Sequence, residues 1–133
     1  MTWKPHVTVA AIAQKQGKFL MVEEHIDGRT VYNQPAGHLE AGETLVQAVI
    51  RETLEETAWH FRPDALTGIY QWHNPVNDTS FLRFCFTGTC IQHEQQRPLD
   101  DDIHQAVWLS LDEIERRSAL MRSPMVMHCL RDY

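Results

Sequence analysis

From Gly37 to Trp59 the chain reads GHLEAGETLVQAVIRETLEETAW, a glycine-punctuated turn that runs into a helix. This stretch constrains the fold more than any other. Thr44 followed three residues later by Gln47 is a capping box, which sets where the helix begins. Leu45, Val46, Val49 and Ile50, continued by Thr53, form one apolar arc at about 100° per residue, so one side of the helix is predicted to face a core. Glu52, Glu55 and Glu56 fall on the neighbouring arc, with Ala48 among them. Carboxylates three and four positions apart share a helix face and repel by about 0.2–0.5 kcal/mol per pair. Such a trio by itself is usually a solvated surface. It becomes useful where a hard divalent cation is held, because Mg²⁺ takes oxygen ligands.

The balance of charge points the same way. The formal net charge is −6, which argues against a long nucleic acid as partner and disfavours a phosphorylated substrate unless a metal intervenes. With 133 residues, 43% hydrophobic and 23% charged, the chain has the composition of one globular domain spanning 1–133. It has no apolar run of membrane-spanning length and no leader-like start, so a cytoplasmic protein without a membrane partner is expected. Cys85, Cys90 and Cys129 lack any CxxC spacing and are read as reduced thiols.

The rest of the chain frames the helix. Val7–Ala13 and Phe19–Val22 are apolar runs separated by Lys15-Gln16-Gly17-Lys18, a predicted hairpin. Asp27-Gly28 marks a second tight turn before a short strand at Thr30–Tyr32. Pro35 holds Gln34 extended, and Gly37 is expected to permit a backbone geometry that a side chain would forbid. Trp59, His60 and Phe61 read as a connector to Pro63, followed by a strand at Leu66–Trp72 and a loop at Asn74–Asp78. Phe81–Cys90 alternates, with Phe81, Arg83 and Cys85 on one face and Leu82, Phe84 and Phe86 on the other. After a polar loop from His93 to Asp102, Ala106–Leu109 is a strand and Ser110 with Glu113 caps a helix to about Arg117. Ser123-Pro124 opens a last helix to about Leu130. The pattern predicts an α/β or α+β fold, a mixed β-sheet with helices on its faces.

The charged positions resemble the box of the Nudix hydrolases. Gly37, Glu43, Arg51-Glu52 and Glu55-Glu56 stand in register with it, whereas Thr53 replaces the usual aliphatic and Ala58 the usual glycine. The resemblance implies the family's α/β/α sandwich and hydrolysis of phosphoanhydride bonds with Mg²⁺, Mn²⁺ substituting. It further implies Glu52, Glu55 and Glu56 as catalytic metal ligands, with Glu52 the first choice for the base, and Glu43 with Arg51 as a structural pair. The carbonyl of Ala36 and a late-loop acid, Asp102 with Asp101 next, are implied as further ligands.

Pro5–Ala10, Asn33–Glu40, Leu82-Arg83-Phe84 and Arg122-Ser123-Pro124 further resemble a bacterial Nudix phosphatase subgroup. That subgroup acts on nucleoside di- and triphosphates and on hydroxymethylpyrimidine pyrophosphate, a thiamin precursor. Its members usually extend somewhat beyond the position of Tyr133. The implied partner is a small phosphorylated substrate such as a nucleotide, taken by a monomer or homodimer. Two rivals stand beside this reading: release of a nucleoside monophosphate from a dinucleotide or nucleotide sugar, and a non-catalytic nucleotide sensor. Candidate substrate contacts are Arg83, read either as a phosphate clamp or as a salt-bridge partner, His38, and the stacking side chains Tyr32, Trp72 and Phe81. Trp108, Phe84 and Phe86 are assigned to the core.

Overall fold

The computed structural model describes all residues, Met1–Tyr133. Seven strands and three α-helices follow one another: β1 (His6–Lys15), β2 (Lys18–Ile26), β3 (Arg29–Asn33), β4 (Ala36–His38), α1 (Leu45–Thr57), β5 (Trp59–Asn74), β6 (Thr79–His93), β7 (Ile103–Ser110), α2 (Leu111–Arg116) and α3 (Pro124–Asp132). The strand order is β3-β2-β1-β6-β5, with β4 added to β1 and β7 to β2. β1 runs parallel to β6, with Thr8 opposite Arg83, and every other pairing is antiparallel. The sheet is therefore mixed, as the pattern predicted. No helix is long and apolar enough to cross a membrane.

β1 explains why the sheet has helices on both sides. Residues Thr8–Ala13 are buried without a break, the mark of a strand covered on both faces. Val9, Ala11 and Ala13 pack with Ala48 and Val49 of α1, Phe61 and Phe86. Ala10 and Ile12 pack on the opposite face with Cys85, Ile114, Val126, Cys129 and Leu130, below α2 and α3. The alternation expected in β6 holds, Cys85 joining one core and Phe86 the other.

α1 begins as the capping box requires: Gln47 N–H donates to Thr44 Oγ1 at 3.1 Å, and Thr44 N–H donates to Gln47 Oε1 at 2.9 Å. Its buried side is rotated from the expected arc. Ala48, Val49, Thr53 and Thr57 are buried, while Val46 is exposed. Small Ala48 lets the helix lie close to the sheet, and Val46 is left outside the contact. Thr53 fits a position suited to an aliphatic side chain because its hydroxyl donates to Val49 O at 2.7 Å. The helix ends at Ala58, which adopts the left-handed conformation at φ 63° and ψ 15°.

Three other expectations are corrected. The chain from Trp59 to Pro63 is no connector. It pairs with β6 as the first part of β5, and register shifts around Phe61, Ala65 and Gly68 accommodate the proline and bend the ribbon. Residues Ala36–His38 form a short strand on β1 in place of a turn. Gly37 itself does not have a positive φ. What it permits is close approach: a Cβ at Gly37 would collide with the carboxyl group of Glu52.

Candidate active site

The carboxylates of α1 gather at its junction with two loops. Glu56 Oε1 accepts a hydrogen bond from the backbone N–H of Ala36 at 2.9 Å, which ties the helix to β4. Asp100 N–H donates to the Glu55 carbonyl at 3.1 Å, which brings the acidic loop to the same end. One carboxylate oxygen each from Glu52, Glu55 and Asp100 lies within 4.8 Å of the others.

Arg51 is the only cation paired with this cluster, and it is shared. It donates to Glu43 through Nε at 3.0 Å and Nη2 at 2.6 Å, to Glu52 at 2.7 Å, to Glu55 at 2.9 Å and to the His38 carbonyl at 3.1 Å. One positive charge therefore faces several carboxylates. Burial pushes Glu52 above the usual carboxylate range, against the pull of Arg51. Burial also raises Asp100, with Glu55 adding to it. Glu56 is pushed up to about 9, mainly by burial, with Glu52, Glu24 and Asp102 adding and the Ala36 N–H opposing. An all-oxygen donor set short of positive charge, set against a glycine with no room for a Cβ, fits a hard divalent cation.

Glu52, Glu56 and Asp100 form one wall of an open cavity of about 460 Å³, with Glu55 just outside it. Glu52, Glu56, Asp100 and Asp102 lie beside Ala36, Gly37 and His38, and Arg83, Trp72 and Phe81 line it too. Asp102 therefore shares the cavity, although it is Asp100 that joins the tight cluster with Glu52 and Glu55.

Arg83 is buried at 5% exposure, and burial lowers its pKa. It forms no ion pair: Nη1 donates to Gln34 Oε1 at 3.1 Å, and Nε has no partner. The salt-bridge alternative for Arg83 is thus not what the structure contains. Trp72 and Phe81 are cross-strand neighbours whose rings stack at 5.9 Å and 17°, so they form one aromatic wall. His38 meets His6 through ring nitrogens 3.2 Å apart, and burial lowers its pKa, with His6 adding to the effect.

Tyr32 is the site candidate that the fold carries elsewhere. It is buried outside the cavity, its hydroxyl donates to Glu23 at 2.8 Å, and Arg117 sits 5.7 Å over its ring. Tyr32 and Asn33 alternate along β3, so Asn33 lines the cavity while the Tyr32 ring packs into the core on the other face. Thr8, Asn33 and Arg122, in contrast, line the cavity without having been singled out for it. Arg122 Nη1 donates to the buried Glu24 at 2.6 Å across 98 residues of sequence, a pairing that no local spacing announces.

Comparison with known proteins identifies a family for the whole chain. The model of the NUDIX domain family matches residues 2–128. Phosphatase NudJ of Escherichia coli (strain K12) is 47% identical over 131 residues, covering 98% of this chain and 84% of that protein, and Phosphatase NudJ of Shigella sonnei matches equally well. A NUDIX hydrolase from Nitrosomonas europaea superposes with a TM-score of 0.95 at 49% identity, covering 98% of this chain and 88% of that one. A MutT NUDIX hydrolase from Burkholderia pseudomallei, at 19% identity and a TM-score of 0.79, shares the fold over 98% of both chains.

Proposed function

The chain belongs to the NUDIX domain family and is a Nudix hydrolase that cleaves phosphoanhydride bonds, and on that premise we propose that it is a Mg²⁺-dependent phosphatase of small phosphorylated molecules. Nudix hydrolases generally need a divalent metal. Mg²⁺ is the ion proposed here, with Mn²⁺ substituting, because the donor atoms are carboxylate oxygens. The substrates proposed are nucleoside di- and triphosphates and hydroxymethylpyrimidine pyrophosphate. The phosphatase activity named for the 47%-identical relatives supports that class.

The observation that carries the reading is the convergence of Glu52, Glu55 and Asp100 beside half-buried Glu56, with Arg51 as their only cation. Glu52, Glu55, Glu56 and Asp100 would hold the metal, which would supply charge neutralisation of phosphate oxygens and a more nucleophilic water. Ala36 and Asp102 line the same cavity, and the Ala36 carbonyl and the Asp102 carboxylate are the further ligands proposed. Glu52, held by Arg51 beside Glu55 and Asp100, is the proposed base. Glu43 and Arg51 position the loop against the helix and touch no substrate.

Arg83 is proposed to bind a phosphate oxygen. A buried guanidinium with a free Nε–H and no carboxylate partner is set to pair with an anion, and such charge-assisted hydrogen bonds are the strong ones. Trp72 and Phe81 offer a flat apolar wall to a heterocycle, and His38 a polar edge beside it.

A panel of nucleotides and pyrimidine pyrophosphates, assayed for orthophosphate, pyrophosphate and mononucleotide, tests the proposal. Orthophosphate as the product supports a phosphatase. Exclusive release of a mononucleotide contradicts it.

A further inference from the structure

Glu23, His25 and His104 converge outside the cavity, and the hydrolytic reaction has no use for them. Glu23 and His25 are two residues apart on β2, so their side chains share a face, and His104 comes from the neighbouring β7. Nε2 of His104 lies 3.6 Å from Glu23 Oε2, and Nε2 of His25 lies 4.0 Å from the same oxygen. One donor atom from each of the three residues lies within 4.8 Å of the other two. The two imidazoles stack with centroids 4.2 Å apart and planes at 18°.

Distance decides whether one ion could be shared. Donors that each sit about 2.1 Å from a common ion are at most about 4.2 Å apart. Both histidine–carboxylate separations, 3.6 and 4.0 Å, meet that limit. An imidazole binds a metal through the lone pair in its ring plane, so one of the two stacked rings has to swing out of the stack before both nitrogens face one ion; both rings are about half exposed, at 53% and 51%, which leaves room for that movement.

The carboxylate is held in advance. Tyr32 donates to Glu23 Oε1 at 2.8 Å, and Gln105 Nε2 donates to Oε2 at 3.2 Å, which leaves that oxygen a further lone pair. Tyr32 is itself buried, so the first of these bonds is anchored in the core. Outer hydrogen bonds of this kind orient a ligating carboxylate. β2 and β7 pair in the sheet, and His104 stands at the bulge where their register shifts between Glu23 and Glu24, a place where a strand re-aims a side chain.

We infer that Glu23, His25 and His104 form a second cation site, for zinc or a divalent ion of similar preference, with its remaining coordination open to water. Two imidazole nitrogens and one carboxylate oxygen suit Zn²⁺ and its borderline neighbours, whereas Mg²⁺ prefers an all-oxygen set such as Glu52, Glu55 and Asp100. The two clusters therefore differ in the class of ion they select. The inference does not depend on which phosphate is hydrolysed.

The test is calorimetric titration of Zn²⁺ alone into the full chain in excess Mg²⁺, repeated with His25→Ala, His104→Ala and the milder His25→Gln. Each alanine variant is expected to weaken one Zn²⁺ equivalent by at least about tenfold, the scale on which loss of a metal-site contact acts. Circular dichroism and thermal unfolding in metal-free buffer confirm that the variants are folded. Bound Cu²⁺, used as a probe of the same site, is expected to show couplings to two imidazole nitrogens that fall to one in His104→Ala. Zn²⁺ binding unchanged in folded His25→Ala and His104→Ala overturns the inference, as does the absence of any Zn²⁺ equivalent in the wild type.

Discussion

Arg51 grips Glu43 with two nitrogens, Nε to Oε2 at 3.0 Å and Nη2 to Oε1 at 2.6 Å. The same guanidinium then reaches Glu52 and Glu55 through Nη1. The loop before α1 is thereby tied to the middle of the helix, and the orientation of the carboxylates depends on a residue that holds no ion. A bidentate pair fixes angle as well as distance, and lysine in its place would fix neither.

The pair sets an acid limit. Arg51, followed by the backbone N–H of Glu40, holds the Glu43 carboxyl down to about 2, against an ordinary value of 4.5. Because the folded pKa lies below the unfolded one, the stabilisation is present above pH 4.5 and is lost as pH falls towards about 2. Carboxyl NMR titration is expected to place the Glu43 midpoint near 2 in the wild type, and clearly higher in Arg51→Lys. An unchanged midpoint in the variant contradicts the assignment.

Gly37→Ala places a methyl group against the Glu52 carboxyl. The carboxyl is the far end of a flexible side chain, so it swings aside at little cost in stability and leaves its place in the site. Displacing a catalytic carboxylate by an ångström costs about a hundredfold in rate. Urea unfolding together with phosphate release is expected to show near wild-type stability and a loss of activity. Unaltered activity means that the close approach has no functional consequence.

Ala58 closes α1 in a left-handed conformation. For a residue with a Cβ that costs about 1–2 kcal/mol, and a β-branched side chain is worse. Ala58→Gly is expected to be at least as stable as the wild type, because relieved strain offsets the lost buried methyl and the added chain entropy. Ala58→Val is expected to lose about 2 kcal/mol or more. Thermal unfolding of both variants decides it, and equal stability of the two contradicts the strain.

Arg83 carries a buried charge with one side-chain acceptor. Such a group contributes little to stability, and an apolar replacement of similar volume is often tolerated. Arg83→Met is therefore expected to unfold at no lower urea concentration while losing at least about tenfold in kcat/KM, the value of one charge-assisted hydrogen bond. Full activity in Arg83→Met removes it from the substrate site.

What could be read in the sequence follows from the range of the interactions. The Thr44–Gln47 and Ser110–Glu113 boxes are local, spanning three residues, and both form. The sheet with helices on both faces follows from the unbroken apolar run of β1 and the alternation of β6, again local patterns. The grouping of Glu52 with Glu55 is helical spacing. Asp100 joins them only through a backbone hydrogen bond to Glu55, 45 residues away, so three consecutive aspartates gave no means of choosing among themselves. The Glu24–Arg122 pair and the orphaned Arg83 Nε are likewise products of tertiary packing. Gly37 was recognisable as special, but the cause lay in the side chain of Glu52 rather than in its own backbone.

The central claim is that the carboxylates of α1 hold the cation that drives phosphate release. The most direct measurement is orthophosphate release from a nucleoside triphosphate at saturating Mg²⁺ by wild type, Glu55→Gln and Glu56→Gln, each shown to be folded by circular dichroism. The account predicts turnover in the wild type that a chelator stops, and turnover abolished in both variants. Phosphate release retained by both glutamine variants contradicts it.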